Sequence, residues 1–196
     1  MCIRDRFHAG FRGNDLVVLK NGAMYATEPG WDGVAAGKVW YISPTGEAKV
    51  VDDQGLKFCN GVVTSPDQSL LYVVDSKTHW VFSYQIQPDG SLAQKQRYYH
   101  LHVPDTAEDA WGDGMRVDTA GRLYVATRMG IQFCDQAGRV NGIIPTPNGK
   151  CSNLTFGGPE MDTIYATCGD KVFKRKVKAK GVEGMNAPVK PEKPRL

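Results

Sequence analysis

Four polar residues recur at one phase of the sequence and are the first candidates for chemistry: Asn14, Asn60, Asp113 and Asn153. Each opens an apolar run, and each is followed 11 or 12 residues later by a tyrosine, namely Tyr25, Tyr72, Tyr124 and Tyr165. Amide and carboxylate oxygens brought together from separate segments are the donors a hard divalent cation binds. Taken singly, Asn60-Gly61 and Asp113-Gly114 read as ordinary turns into a strand. Their shared phase favours a ring of oxygen donors around one point.

The elements that must hold such a ring are repeated hairpins. The Tyr-to-Tyr spacings are 47, 52 and 41 residues, whereas the marker-to-Tyr distance barely changes, so a fixed hairpin alternates with looser connections. The turns inside the hairpins, Lys20-Asn-Gly22, Ser65-Pro-Asp-Gln68, Thr119-Ala-Gly121 and Gly157-Gly-Pro-Glu160, have hairpin chemistry. Each hairpin is followed by further apolar strand-like segments, such as Lys38–Ile42 and Ala48–Val51, or Trp80–Ile86 and the run from Leu92. Four strands per period is the signature of a propeller blade, and no helical spacing is sustained. The expected fold is therefore all-β, of the propeller type, with about four blades over residues 7–182 and the last blade cut to three strands. Residues 183–196, with three prolines among Lys and Glu, read as an extended, solvated tail. Four blades close a ring with difficulty, so the sequence reads as part of a larger propeller.

Composition narrows the function. The chain has 41% hydrophobic and 23% charged residues, and its apolar runs are all interrupted well short of a membrane span. The net charge of +3 is concentrated at the end: residues 171–196 carry nine Lys and Arg against Glu183 and Glu192, leaving the body at about −4. A mildly acidic body argues against nucleic acid as a partner and suits a site for a cation. Five scattered cysteines without a C-x-x-C pair indicate neither a disulfide framework nor a zinc knuckle, and they read as buried small hydrophobes. The opening hexapeptide, Met1 to Arg6, resembles a translated sequencing-adapter remnant and not a signal peptide. Compartment (cytoplasmic, periplasmic or secreted) and oligomeric state are not assigned by these features.

The combination Gly13-Asn-Asp-Leu-Val-Val18, Phe58-Cys-Asn-Gly-Val-Val63, Leu71-Tyr-Val-Val-Asp75, Gly112-Asp-Gly-Met115 and Ser152-Asn-Leu-Thr-Phe-Gly-Gly158 resembles the senescence marker protein, gluconolactonase and luciferin-regenerating enzyme-like (regucalcin-type) family over about residues 10–182. That family consists of six-bladed propellers. The resemblance implies a metal-dependent hydrolase of a sugar lactone or related cyclic ester, with a small-molecule lactone as its partner. It implies Asn60 and Asp113 as metal ligands, Asp113 also as the catalytic residue, and Asn14 at the substrate. It further implies one divalent ion, with calcium first and zinc, magnesium or manganese as alternatives, and a ligand Glu from a blade preceding this sequence. A chain lacking that Glu is expected to be weak or inactive alone. Thr27-Glu28-Pro29 departs from the family's Thr-Asp-Pro and makes Glu28 a further candidate for substrate binding, while Cys59 replaces the family's Pro and is read as packing.

Other residues carry less. His100 and His102 could share one side of a strand, but no third ligand shares their phase, so they read as surface or loop-facing histidines. His79-Trp80 reads as a packed aromatic pair, and Trp31-Asp32 occurs once, which excludes WD40 repeats. The competing reading is a non-catalytic propeller used as an interaction platform, or a related propeller esterase.

Overall fold

The structure is a computed structural model that describes residues 10–193; the opening hexapeptide lies outside them. Fifteen strands form four antiparallel sheets, and no helix occurs among the described residues. The first blade is β1 (Leu16–Val18), β2 (Met24–Glu28), β3 (Lys38–Ile42) and β4 (Ala48–Asp52). The second is β5 (Cys59–Thr64), β6 (Leu70–Asp75), β7 (Trp80–Ile86) and β8 (Leu92–His100). The third is β9 (Met115–Val117), β10 (Leu123–Thr127), β11 (Gly130–Cys134) and β12 (Val140–Ile144). The fourth has three strands, β13 (Asn153–Gly157), β14 (Thr163–Cys168) and β15 (Lys171–Lys176). Every blade is a simple meander in sequence order.

The first hairpin of each blade closes in the same way. Gly22, Gln68, Gly121 and Met161 donate their amides to Leu19, Ser65, Asp118 and Gly158, three residues back, and all four closing residues have positive φ. This is a type I turn followed by a left-handed residue, whose twist matches the flanking strands. Glycine takes that conformation freely; Gln68 and Met161 adopt it at some cost.

Strand alternation then stacks the blades. In β6, Leu71 and Val73 join the apolar cluster shared with the first blade, through Tyr25, Val39 and Val62, while Tyr72 and Val74 join the cluster shared with the third, through Met115, Leu123 and Val125. In β10, Tyr124 and Ala126 turn the other way, onto Leu154, Phe156, Ile164 and Ala166 of the fourth blade. Each buried side chain of this size contributes about 1.5–3 kcal/mol, so these interfaces supply most of the cohesion. The four repeat tyrosines all sit on second strands, facing the next blade along the chain. Tyr25, Tyr72 and Tyr124 are buried, whereas Tyr165 is half-buried, with no further blade on its face among the described residues. On the first blade, Ala26, Trp40 and Ile42 form a one-sided cluster with Phe11, Met24 and Ala48.

The substantial strand contacts run from first blade to second, second to third and third to fourth through the inner strands. After β15 the chain turns back beneath the blades, and its backbone is tied to them at several points. Val177 and Gly181 donate to Asp162 and Met161, Val182 donates to Val117, and Val189 donates to Pro66. The Gln68 side chain completes the strap, its Nε2 donating to the Gly184 carbonyl at 2.6 Å. These partners lie at the ends of the inner strands remote from Asn14 and Asp113. No helix of the described residues is long and apolar enough to cross a membrane.

Candidate functional site

The entry of each inner strand carries an irregularity that aims its side chains. Asn14 donates its amide to Thr27, and Thr27 donates back to Asp15, so two residues of the inner strand face one of its partner. Asp113 and Gly114 face Ala126 in the same manner, and the register break of β5 sets Asn60 and Gly61 against Val74. Such bulges turn side chains out of the regular alternation. In all three blades the partner residue lies two beyond the repeat tyrosine, so Asn14, Asn60 and Asp113 occupy equivalent positions.

The fourth blade is out of step with the sequence reading. Ser152 donates to Thr167, and Asn153 is the residue paired with Thr167, which makes Ser152 the counterpart of Asn14, Asn60 and Asp113. Asn153 instead matches Asp15, Gly61 and Gly114. Its behaviour agrees: Asn153 Oδ1 accepts the amide of Leu154 at 2.8 Å, as Asp15 Oδ1 accepts that of Leu16 at 2.8 Å. The hairpin of the fourth blade, two residues longer than those of the first and third and one longer than that of the second, had concealed the offset.

Asn60 and Asp113 adjoin. The Asn60 side chain lies near enough to the Asp113 carboxyl to favour its ionised form, and a Cβ on Gly61 would collide with the Asp113 carbonyl. Asn60, 7% exposed, also donates Nδ2 to Ser76 Oγ at 3.0 Å, and Ser76 donates to the Gly112 carbonyl at 2.5 Å. With the amide nitrogen so engaged, Oδ1 of Asn60 is left as the acceptor of that side chain. From the first blade, the buried Thr27 hydroxyl donates to the Asn60 carbonyl at 2.6 Å.

Asp15 is the residue that sequence reasoning passed over. Its Oδ2 accepts the Val62 amide of the neighbouring blade at 3.1 Å. Burial raises its pKa above the ordinary carboxylate value, partly offset by the Val62 and Leu16 amides. Burial and then the charge of Asp15 push Asp113 up to about 6, against the stabilising contact with Asn60. The signal was visible: where the second and third blades have Asn-Gly and Asp-Gly, the first has Asn14-Asp15.

The remaining candidates separate. Asn14 is exposed at the same end of the first blade. Glu28 has both oxygens engaged, Oε1 by the Arg12 amide at 3.1 Å and Oε2 by Trp40 Nε1 at 2.8 Å. His100 packs against the rings of His79 and Trp80, with centroids 4.4 and 4.8 Å away. Cys59, Cys134, Cys151 and Cys168 are buried free thiols. Among the described residues, no group of three or more His, Cys, Asp or Glu side chains is placed to hold a metal. Asp113 and Asn60 are thus oxygen donors of the kind a hard cation takes, two in number.

Comparison with known proteins bears on the family and the fold. Residues 3–170 match the model of the SMP-30/Gluconolactonase/LRE-like region. The chain is 26% identical over 159 residues to the pentonolactonase XacC of Haloferax volcanii, covering 80% of this chain and 53% of that protein. It is 27% identical over 183 residues to a gluconolactonase of Zymomonas mobilis, covering 86% and 51%. A solved gluconolactonase from Xanthomonas campestris superposes with a TM-score of 0.72 at 27% identity, covering 90% of this chain and 60% of that one. The chain spans about half the length of the curated relatives it matches.

Proposed function

The chain belongs to the SMP-30/Gluconolactonase/LRE-like family, and from that membership we propose that it is the larger part of a six-bladed propeller whose full form hydrolyses a sugar lactone or related cyclic ester at the mouth where Asn14, Asn60 and Asp113 lie. Four blades matching 60% of a solved relative leave room for about two more. The observation that carries the reading is the close approach of the Asn60-Gly61 and Asp113-Gly114 bulges on adjacent inner strands, with Asn60 and a second carboxylate, Asp15, both near enough to act on Asp113.

Asp113 and Asn60 Oδ1 would hold a divalent cation, calcium before zinc, magnesium or manganese, because the donors are oxygens and Asp113 lacks a cationic side-chain partner. When bound, the ion supplies Lewis acidity toward the ester carbonyl. The donors fit in kind; the rest of the shell falls to water, substrate or residues of the missing blades. The chain's own part is positional and protonic. Asn60 is fixed through Ser76 and Thr27 and in turn orients Asp113. Asp113, raised by burial and by Asp15, has the basicity to accept a proton at its carboxylate oxygen from the attacking water near neutral pH. A cation on that carboxylate opposes this role by holding it ionised. Asn14 offers an exposed amide to the hydroxyls of the substrate, and Glu28 acts on it indirectly by securing Arg12 and Trp40.

Calorimetric titration with calcium, zinc, magnesium and manganese, together with pH-stat hydrolysis of glucono-δ-lactone, tests this. The chain should bind one ion weakly and turn over slowly, and Asp113→Asn should cost at least tenfold in both. Affinity and turnover unchanged in Asp113→Asn, or no cation bound by the parent chain, would remove the reading.

A further inference from the structure

Next to Asp113 the structure has a cleft of about 470 Å³ lined by Trp111, Asp113, Arg128, Lys150, Cys151 and Ser152. Its walls carry charge that the hydrolytic reading does not use. Trp111 is 46% exposed and held at φ 50°, a conformation a bulky residue adopts only when its surroundings impose it. Two cations are gathered on its ring: Lys77 Nζ lies 4.8 Å from the centroid and the Arg128 guanidinium 5.5 Å. Lys150 stands on the exposed rim of the cleft.

The acids do not balance these cations. Asp109 is paired with a terminal nitrogen of Arg128, but Arg128 Nε is buried without a hydrogen-bond partner among the described residues. Lys77 and Lys150 form no ion pair there. Asp113 is the remaining acid of the lining, and it belongs to the proposed cation site. The Arg128 guanidinium and the Lys150 ammonium of the lining, with Lys77 on the ring of Trp111 beside them, leave an excess of positive charge where a ligand enters, and Arg with nearby Lys is suited to a carboxylate or phosphate.

We propose that this cleft, through Arg128 and Lys150 and with the charge of Lys77 behind the Trp111 ring, holds a second anionic group of the substrate, so that the favoured substrates are acidic sugar lactones bearing a carboxylate or phosphate remote from the ester. This deepens the lactonase reading and rests on it for the word lactone; the anion subsite itself rests on the cleft.

The test is calorimetric binding of open-chain product analogues to the full chain at low salt: glucarate and 6-phosphogluconate, each with a second anionic group, against gluconate and uncharged sorbitol. Glucarate or 6-phosphogluconate should bind at least tenfold more tightly than gluconate, and their ranking tells a carboxylate site from a phosphate site. Lys150→Met, at an exposed position whose loss should leave the melting temperature unchanged, should reduce that preference at least threefold, and Arg128→Gln should abolish it. Equal affinity for glucarate, 6-phosphogluconate and gluconate overturns the proposal, as does a preference intact in both variants or no binding at millimolar concentration. If the lactonase reading alone is wrong, no lactone is turned over while the preference for the doubly charged analogues persists.

Discussion

Asp15 and Asp113 enter the mouth from different blades, and the charge of the first is the largest influence after burial in lifting the second to about 6. The two are not joined in sequence or by a hydrogen bond; the second blade, lying between them, fixes Asp15 through the Val62 amide and packs on the Asp113 backbone at Gly61.

A raised carboxyl binds its proton more tightly in the folded state, so its contribution to stability falls as pH rises from about 4 to about 6 and stays low above that. Asp15 is raised as well and acts in the same sense. The metal-free chain should therefore melt at a higher temperature at pH 5 than at pH 7.5, and Asp113→Asn should flatten this difference. A shift of this size corresponds to about 3 kcal/mol for a fully buried group; partial exposure reduces it to about 1 kcal/mol, or roughly 2–4 °C. Melting curves across this range decide it, and a profile unchanged by the substitution contradicts it.

Thr27 is a hinge pin between the first two blades, donating to Asn60 and accepting the Asp15 amide at 3.2 Å. Thr27→Val keeps the shape and leaves two buried polar groups unsatisfied, so urea unfolding should show a loss of about 1–3 kcal/mol, largely restored in Thr27→Ser.

Gly61 and Gly114 are required by close approach and not by backbone conformation. A methyl group at Gly61 meets the Asp113 carbonyl, and one at Gly114 meets the Asn153 amide. Gly61→Ala should destabilise by about 1–3 kcal/mol and weaken cation binding, because it separates the two inner strands that bring Asn60 to Asp113. An alanine variant with parental affinity for the cation would show that the spacing has no part in the site.

His100 lies in the His79 and Trp80 ring group at the end of an outermost strand. His100→Ala should leave cation affinity within twofold, while removal of bound cation by a chelator should abolish turnover in parent and variant alike. A tenfold loss of affinity in His100→Ala would move the metal site away from the mouth.

The blades were legible because strand alternation and turn chemistry are local: the spacing around Tyr25, Tyr72 and Tyr124 names the second strands and the face that each tyrosine presents. The phase of Asn153 was not legible, since a bulge changes the marker-to-Tyr distance by one residue just as a longer turn does. Asp15 escaped for a related reason. Its role depends on Val62 and Asp113, 47 and 98 residues away, and sequence periodicity contains no measure of approach between blades. The docking of the tail's backbone was equally invisible, because its prolines and lysines describe a solvated segment, and its side chains are indeed mostly exposed, while Gly184 and Val189 are held by Gln68 and Pro66.

That strap bears on the order in which the chain assembles. The blade hairpins join residues a few positions apart and can form early, whereas the bond from Gln68 to Gly184 spans 116 positions. The same Gln68 side chain accepts the Lys20 amide from the first blade. Its full set of bonds therefore exists only once the first two blades are side by side and the C-terminal segment has crossed beneath them. Amide protons of Val182 and Val189, which rest on the third and second blades respectively, should acquire protection from hydrogen exchange late in refolding, after the blade hairpins, and so serve as a clock for the completion of the blade array.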